Sequence, residues 1–176
     1  MGPIEYLFIT LGIVIALIGL ARGYDKELGN SIIFMFTIAA LGFIDNRFAA
    51  QIAQIGESIF GVGNINTFMM LVFGGTLIAV AFASYAGATF IFGGRARTGL
   101  GGLLISFGVG LFNGYLLSGS LWYYANLYRY PLVPVEGGLS AAATQIVEHY
   151  LPQTIFDNPV YWLIPATVLM IMRVRG

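Results

Sequence analysis

Cysteine is absent from this chain of 176 residues, and histidine occurs once, as His149. Without cysteine the chain has no disulfide, no thiolate metal site and no cysteine nucleophile. A metal site at His149 would need several converging ligands, and the sequence around it shows none. The sequence therefore predicts no catalytic residue, no metal and no cofactor, and the chain is not expected to be an enzyme.

Charged residues are also scarce. They make up 9% of the chain, against roughly 25% in soluble domains. Eight basic residues balance eight acidic ones, so no basic field favours nucleic acid as a partner. Hydrophobic residues make up 58% of the chain, whereas apolar residues make up about 45–50% of a soluble domain. These proportions predict an integral membrane protein whose main surroundings are the lipid bilayer.

Long apolar runs account for this composition. A helix crosses the hydrocarbon core of about 30 Å with about 20 residues, because its backbone groups bond within the segment. We predict membrane-spanning helices at residues 4–21, 29–44, 66–92 and 99–127. A fifth run, 160–172, is short and contains Pro165, so it is either a tilted span or a helix half-buried at the surface. The predicted fold is an all-α polytopic bundle of four or five spans in a single membrane domain.

Two segments between these runs are amphipathic rather than uniformly apolar. In residues 47–62 and 139–151, apolar side chains recur at helical spacing opposite polar ones. The apolar positions are Phe48, Ile52, Ile55 and Ile59 in the first segment, and Leu139, Ala143, Ile146, Val147 and Tyr150 in the second. Both segments are predicted to be interfacial helices.

Basic residues predict the orientation. The two short loops each carry two of them: Arg22 with Lys26, and Arg95 with Arg97. The longer loops on the opposite side carry one each. Because basic residues favour the cytoplasmic side, both short loops are expected there and the N-terminus outside.

Small residues recur every fourth position in the third and fourth runs. They are Gly75, Ala79, Ala83 and Gly87 in the third, and Gly102, Ser106, Gly110, Gly114 and Ser118 in the fourth. Such ridges let helix backbones approach closely in lipid. We therefore expect these two helices to pack as an antiparallel hairpin, and the use of one ridge in a homo-oligomer is the less favoured alternative. Asn113, inside the fourth run, is expected to bond to a neighbouring helix.

The first short loop contains a second informative pattern. Arg22 ends the first helix and Glu27 lies near the start of the second, where each charge suits the helix dipole. One interpretation is that Arg22 and Glu27 cap the helix ends and that the basic charge sets the orientation in the membrane. The other is a fixed Arg22–Glu27 ion pair that clamps the turn, or a docking surface for a cytoplasmic partner.

The order Arg22, Gly23, three residues, then Glu27 resembles the signature of the colicin V production (CvpA-like) family. A basic residue, Arg95 or Arg97, before the glycine-rich fourth helix is similar to a second family feature. Where the family usually has Arg-Gly late in that helix, this chain has Asn113-Gly114. The resemblance implies a small bacterial inner-membrane protein linked to toxin production and envelope physiology, with no assigned biochemical activity.

Three functions follow as hypotheses. The first is a non-catalytic scaffold or accessory protein that acts through partner proteins in export or envelope processes. The second is a small accessory subunit of a large respiratory or photosynthetic complex, which the high aromatic content of 15% would suit. The third is a channel or transporter, which is disfavoured because the four main runs carry no charge near their middle.

Overall fold

The computed structural model describes residues 2–87, 99–133, 135, 137–156 and 158–175. These residues form helices and no β-strand, so the all-α prediction is confirmed for the described chain. The helices are α1 (Pro3–Arg22), α2 (Tyr24–Phe60), α3 (Ile65–Ala86), α4 (Leu100–Leu127), α5 (Ala141–His149), α6 (Pro152–Ile155) and α7 (Leu163–Arg175). Short 3-10 turns, Val62–Asn64 and Pro159–Trp162, precede α3 and α7.

Four of these helices, α1 to α4, are long and apolar enough to cross a bilayer. The fifth predicted run forms α7, whose 13 residues extend about 20 Å. Pro165 lies in the first turn of α7, where its missing N–H costs no helical hydrogen bond. Whether α7 crosses the membrane stays a prediction.

Helix α2 differs from the prediction because it does not break near residue 45. The run 29–44 and most of the segment 47–62, as far as Phe60, belong to one helix of 37 residues. Asp45, Asn46 and Arg47 lie inside this helix, because polar and charged side chains do not interrupt the hydrogen bonds of a helical backbone. The helix is about 55 Å long, which is well beyond the thickness of a hydrocarbon core of about 30 Å. The segment 139–151 corresponds to α5, and its place at the membrane surface stays a prediction.

Helix α4 packs against α1 through small residues. A Cβ atom added to Gly110 would lie 2.7 Å from the carbonyl oxygen of Ala16 and 3.1 Å from Cα of Gly19. A Cβ atom on Gly114 would overlap the carbonyl of Gly12. The two backbones are therefore in direct contact, which only small residues allow.

The ridge predicted on α3 does not face α4, and the structure corrects that prediction. Ala79, Ala83 and Gly87 are exposed, and a Cβ atom on Gly75 would meet nothing within 4 Å. Helix α3 contacts α4 through large side chains instead. The ring of Phe73 stacks on that of Tyr124 in α4, and Gly74 lies beside Leu121 of the same helix.

Residue pairs fix the directions of the helices. Phe8 stacks on Trp122 with ring centroids 5.3 Å apart, and Phe73 stacks on Tyr124 at 4.9 Å. Further along α1, Gly12 contacts Gly114, which comes earlier in α4 than Trp122. Further along α3, Tyr85 bonds to Glu27, as does Asn113, which comes earlier in α4 than Tyr124. Both α1 and α3 therefore run antiparallel to α4.

Helix α2 runs parallel to α4, because Glu27 contacts Asn113 and Asp45 contacts Tyr128. Glu27 and Asp45 are separated by about 27 Å along α2, close to the thickness of the hydrocarbon core. The bundle therefore has two polar ends, the Glu27 end and the Asp45 end, with apolar packing between them.

Candidate functional site

The connection between α1 and α2 is a single residue. Gly23 has φ 88°, in the left-handed region that glycine adopts without a steric cost. Its N–H donates to the carbonyl of Gly19 over 3.0 Å, which closes the last turn of α1. Helix α2 begins at the next residue, so Glu27 falls in its first turn and Arg22 in the last turn of α1. The Arg-Gly pair of the sequence pattern thus forms a one-residue corner.

The carboxylate of Glu27 is fully buried and accepts hydrogen bonds from several helices. Its Oε1 faces Arg22 Nη1 at 3.4 Å and accepts from Asn30 Nδ2 at 3.3 Å. Its Oε2 accepts from Asn113 Nδ2 at 2.8 Å and from the hydroxyl of Tyr85 at 3.2 Å. The donors come from α1, α2, α3 and α4, so one side chain is bonded to all four long helices.

Arg22 supplies the compensating charge. Its side chain is 18% exposed, and its guanidinium carbon lies 4.6 Å from the ring centroid of Tyr85. That distance allows a cation–π contact. Of the two interpretations of the loop, the structure supports the fixed ion pair, because a buried charge needs a partner and hydrogen bonds. The buried Glu27 carboxylate is not available as a docking surface.

Asn113 is fully buried in α4 and its prediction as a cross-helix contact is confirmed. Besides the carboxylate, its Nδ2 donates to the backbone carbonyl of Glu27 at 2.8 Å. Its Oδ1 accepts from the hydroxyl of Ser31 at 2.7 Å. The side chain therefore uses both ends of its amide on α2. We call Arg22, Glu27, Asn30, Ser31, Tyr85 and Asn113 the Glu27 cluster.

Small residues make room for the cluster. A Cβ atom on Gly19 would lie 2.6 Å from Cα of Gly110 and 3.3 Å from Oε2 of Glu27. The backbone N–H of Tyr24 donates to Ser106 Oγ at 3.0 Å, which satisfies one of the unpaired donors at the start of α2. The ridge on α4 thus serves both the contact with α1 and the cluster beside it.

The chemistry of the cluster is that of a structural junction. Each oxygen of Glu27 is contacted by two donors, which hold the carboxylate between the helices. In the part of the chain that the structure describes, no three His, Cys, Asp or Glu residues converge as a metal site would require. Arg95 and Arg97, the basic pair of the sequence analysis, lie outside the described residues.

Sequence reasoning missed three members of the cluster. Asn30 and Ser31 lie three and four residues after Glu27, so helical spacing could have placed them on its face. Tyr85 is 58 positions away from Glu27 in sequence, and no local pattern links the two.

No family model matches the chain, and the searches of curated proteins and of solved structures find no match either. Function is therefore inferred from the Glu27 cluster and from the surfaces of the bundle.

Proposed function

We propose that the chain is a non-catalytic membrane scaffold, similar in kind to the colicin V production family, that acts through partner proteins in export or envelope processes. The observation that carries this proposal is the fully bonded, buried carboxylate of Glu27. Under this proposal the protein lies in a bacterial inner membrane, with the Glu27 end toward the cytoplasm and the N-terminus outside.

The bonding of Glu27 favours a fixed scaffold over a carrier. A proton or ion carrier needs a group that exchanges its partner during each cycle. Glu27 would have to leave Arg22, Tyr85 and Asn113 to do so, and all three donors would lose their bond to the carboxylate. A buried polar group that is left without a partner costs about 1–3 kcal/mol. The cluster therefore favours one arrangement of the four helices.

The outer surfaces of the bundle offer places for partners. An apolar groove of about 380 Å³ lies between α1 and α3, lined by Ile15, Ile78 and Phe82 among others. A second groove of about 420 Å³ lies where α2, α3 and α7 meet, beside Phe36 and Met170. Helices associate in lipid by close packing, so a shaped groove suits another helix better than a smooth face does.

The resemblance adds a further argument. Arg22, Gly23 and Glu27, which carry it, are the residues that form the corner and the ion pair. At the position where the family usually has arginine, Asn113 donates to the same carboxylate. Asn113 therefore supplies a hydrogen-bond donor to Glu27, although it differs from the arginine that is usual in the family.

Photo-crosslinking in native membranes tests the proposal. A photoreactive residue replaces Phe82, which is 72% exposed in the first groove. The matched control replaces Val62, which is 69% exposed in the turn before α3. We expect adducts with discrete membrane proteins from position 82, fewer from position 62, and a loss of those at 82 in Glu27→Gln.

Each other outcome favours a different function. Adducts only with lipid at position 82 would contradict the scaffold. Quantitative recovery of the protein in one large respiratory or photosynthetic complex would favour the accessory-subunit alternative. Ion flux in liposomes that is lost in Asn113→Ala would favour a channel or transporter.

A further inference from the structure

A small cavity lies at the Asp45 end of the bundle, between α2, α4 and the segment that leads from α6 to α7. Its volume is about 40 Å³. Its polar lining includes Asp45, Tyr124 and Gln153, and its aromatic lining includes Tyr123, Phe156 and Trp162. None of these residues belongs to the Glu27 cluster, since Glu27 lies about 27 Å from Asp45 along α2.

Two of the lining side chains hold buried polar atoms that no described residue bonds. Tyr124 is 0% exposed, and its hydroxyl has no hydrogen-bond partner among the described residues. Both the amide oxygen and the amide nitrogen of Gln153 are buried without a partner in the same part of the chain. Because buried polar atoms are nearly always bonded, these atoms indicate a guest in the cavity.

The charge of the cavity indicates the sign of the guest. Asp45 Oδ1 accepts a hydrogen bond from the hydroxyl of Tyr128 at 2.9 Å. No ion pair joins Asp45 to a basic side chain of the described residues, and the nearby Arg47 is exposed. A half-buried carboxylate without a cationic partner favours a positive guest.

We propose that this cavity binds a small monovalent cation. The carboxylate of Asp45 supplies the counter-charge, and the oxygens of Tyr124 and Gln153 are neutral ligands. The rings of Tyr123 and Trp162 line the same space, and aromatic faces attract cations.

Size and ligand count narrow the class of ion. A water molecule needs roughly 10–15 Å³ of cavity volume. A cavity of about 40 Å³ therefore holds an ion with one or two waters and is too small for a lipid headgroup. Calcium and magnesium bind through several carboxylates or a full oxygen shell. Among the described residues, Asp45 is the one carboxylate in the lining, which favours an alkali-metal ion or ammonium.

The ion would fasten α6 to the bundle. Gln153 lies in α6, and Pro152 beside it packs so closely on α4 that a Cβ atom on Gly119 would lie 2.7 Å from its ring. Trp162 Nε1 donates to the carbonyl of Pro152 at 3.2 Å. A shared cation would therefore connect α2, α4 and both ends of the segment 152–162.

Thermal unfolding of the full chain in mild detergent tests the proposal. The salts are lithium, sodium, potassium and ammonium chloride, with N-methylglucamine chloride as a bulky reference at equal ionic strength. We expect at least one small cation to raise Tm saturably above the reference. Asp45→Asn should weaken that apparent affinity at least ten-fold, and Tyr124→Phe should weaken it several-fold.

The matched control is Glu57→Gln, which removes an exposed carboxylate from the same helix and should leave the cation response unchanged. In the reference salt, Tyr124→Phe should be at least as stable as the unaltered chain, because the Tyr124 hydroxyl bonds to none of the residues that the structure describes. If Asp45→Asn does not fold, Tyr124→Phe and Gln153→Leu decide the question. Equal Tm in all five salts would mean that the cavity holds water alone, and would overturn the proposal. An equal cation response in the cavity variants and the unaltered chain would also overturn it.

Discussion

Replacing Glu27 by glutamine exchanges one carboxylate oxygen for an amide group and hardly changes the size of the side chain. One oxygen of Glu27 faces Arg22 and Asn30, and the other faces Tyr85 and Asn113. Whichever way the new amide turns, its nitrogen therefore faces two donors. The variant also leaves the buried side of Arg22 without its counter-charge.

The cost can be bounded from these contacts. Breaking a buried ion pair by removing one partner costs about 3–5 kcal/mol. Hydrogen bonds between helices in membranes are weaker, on average about 0.6 kcal/mol. Because glutamine keeps one acceptor and Arg22 is partly exposed, we expect a loss of about 2–4 kcal/mol in the free energy of unfolding.

Reversible unfolding in mixed micelles of a mild detergent and sodium dodecyl sulfate measures this loss. The control is again Glu57→Gln, which should change the free energy of unfolding by less than about 0.5 kcal/mol. Equal stability of the Glu27 and Glu57 variants would refute the role given to the Glu27 cluster. Coupling between Glu27 and Asn113 in a double-mutant cycle would locate the effect in their direct contact.

Two further predictions concern backbone contact and loop anchoring. Gly110→Ala should lower stability by about 1–3 kcal/mol in the same unfolding assay, because its Cβ would press on α1. Gly75→Ala should be neutral or stabilising by up to about 1 kcal/mol, and a loss as large as that of Gly110→Ala would contradict the packing described. Glu5 accepts a hydrogen bond from the backbone N–H of Ser140 at 2.9 Å. Glu5→Ala should therefore speed amide exchange around residue 140, whereas Tyr6→Ala, at an exposed neighbour, should not.

The length of the apolar runs was enough to predict the helical class. Lipid offers no hydrogen bonds to the backbone, and a helix satisfies its backbone groups within the segment. The break placed at Asp45-Asn46-Arg47 was not correct. No glycine or proline interrupts α2 there, and the three polar residues locate the Asp45 end of the bundle rather than a helix end.

The ridge on α4 was visible in the sequence, but its partner was not. Period-four spacing identifies a face of one helix and says nothing of which helix covers it. The first run also carries small residues at helical spacing, namely Gly12, Ala16 and Gly19, and these are the ones that α4 meets. Choosing between α1 and α3 required the tertiary arrangement, in which bulky Phe73 occupies the contact between α3 and α4.

The corner at Gly23 was the best-predicted part of the site. Its charges are close in sequence, so the dipole argument and the spacing both place Arg22 near Glu27. The burial of Glu27 was not predicted, because it depends on Tyr85 and Asn113 from distant helices.

Cysteine cross-linking between α1 and α4 tests the arrangement of the bundle most directly, and the chain contains no cysteine of its own. A Cβ atom on Gly12 would lie 3.0 Å from Ser118 Oγ, close enough for a disulfide between cysteines at these positions. In native membranes, the Gly12→Cys/Ser118→Cys pair should oxidise readily, and the Ala79→Cys/Ser118→Cys pair should not. Cross-linking of the second pair in place of the first would contradict the account.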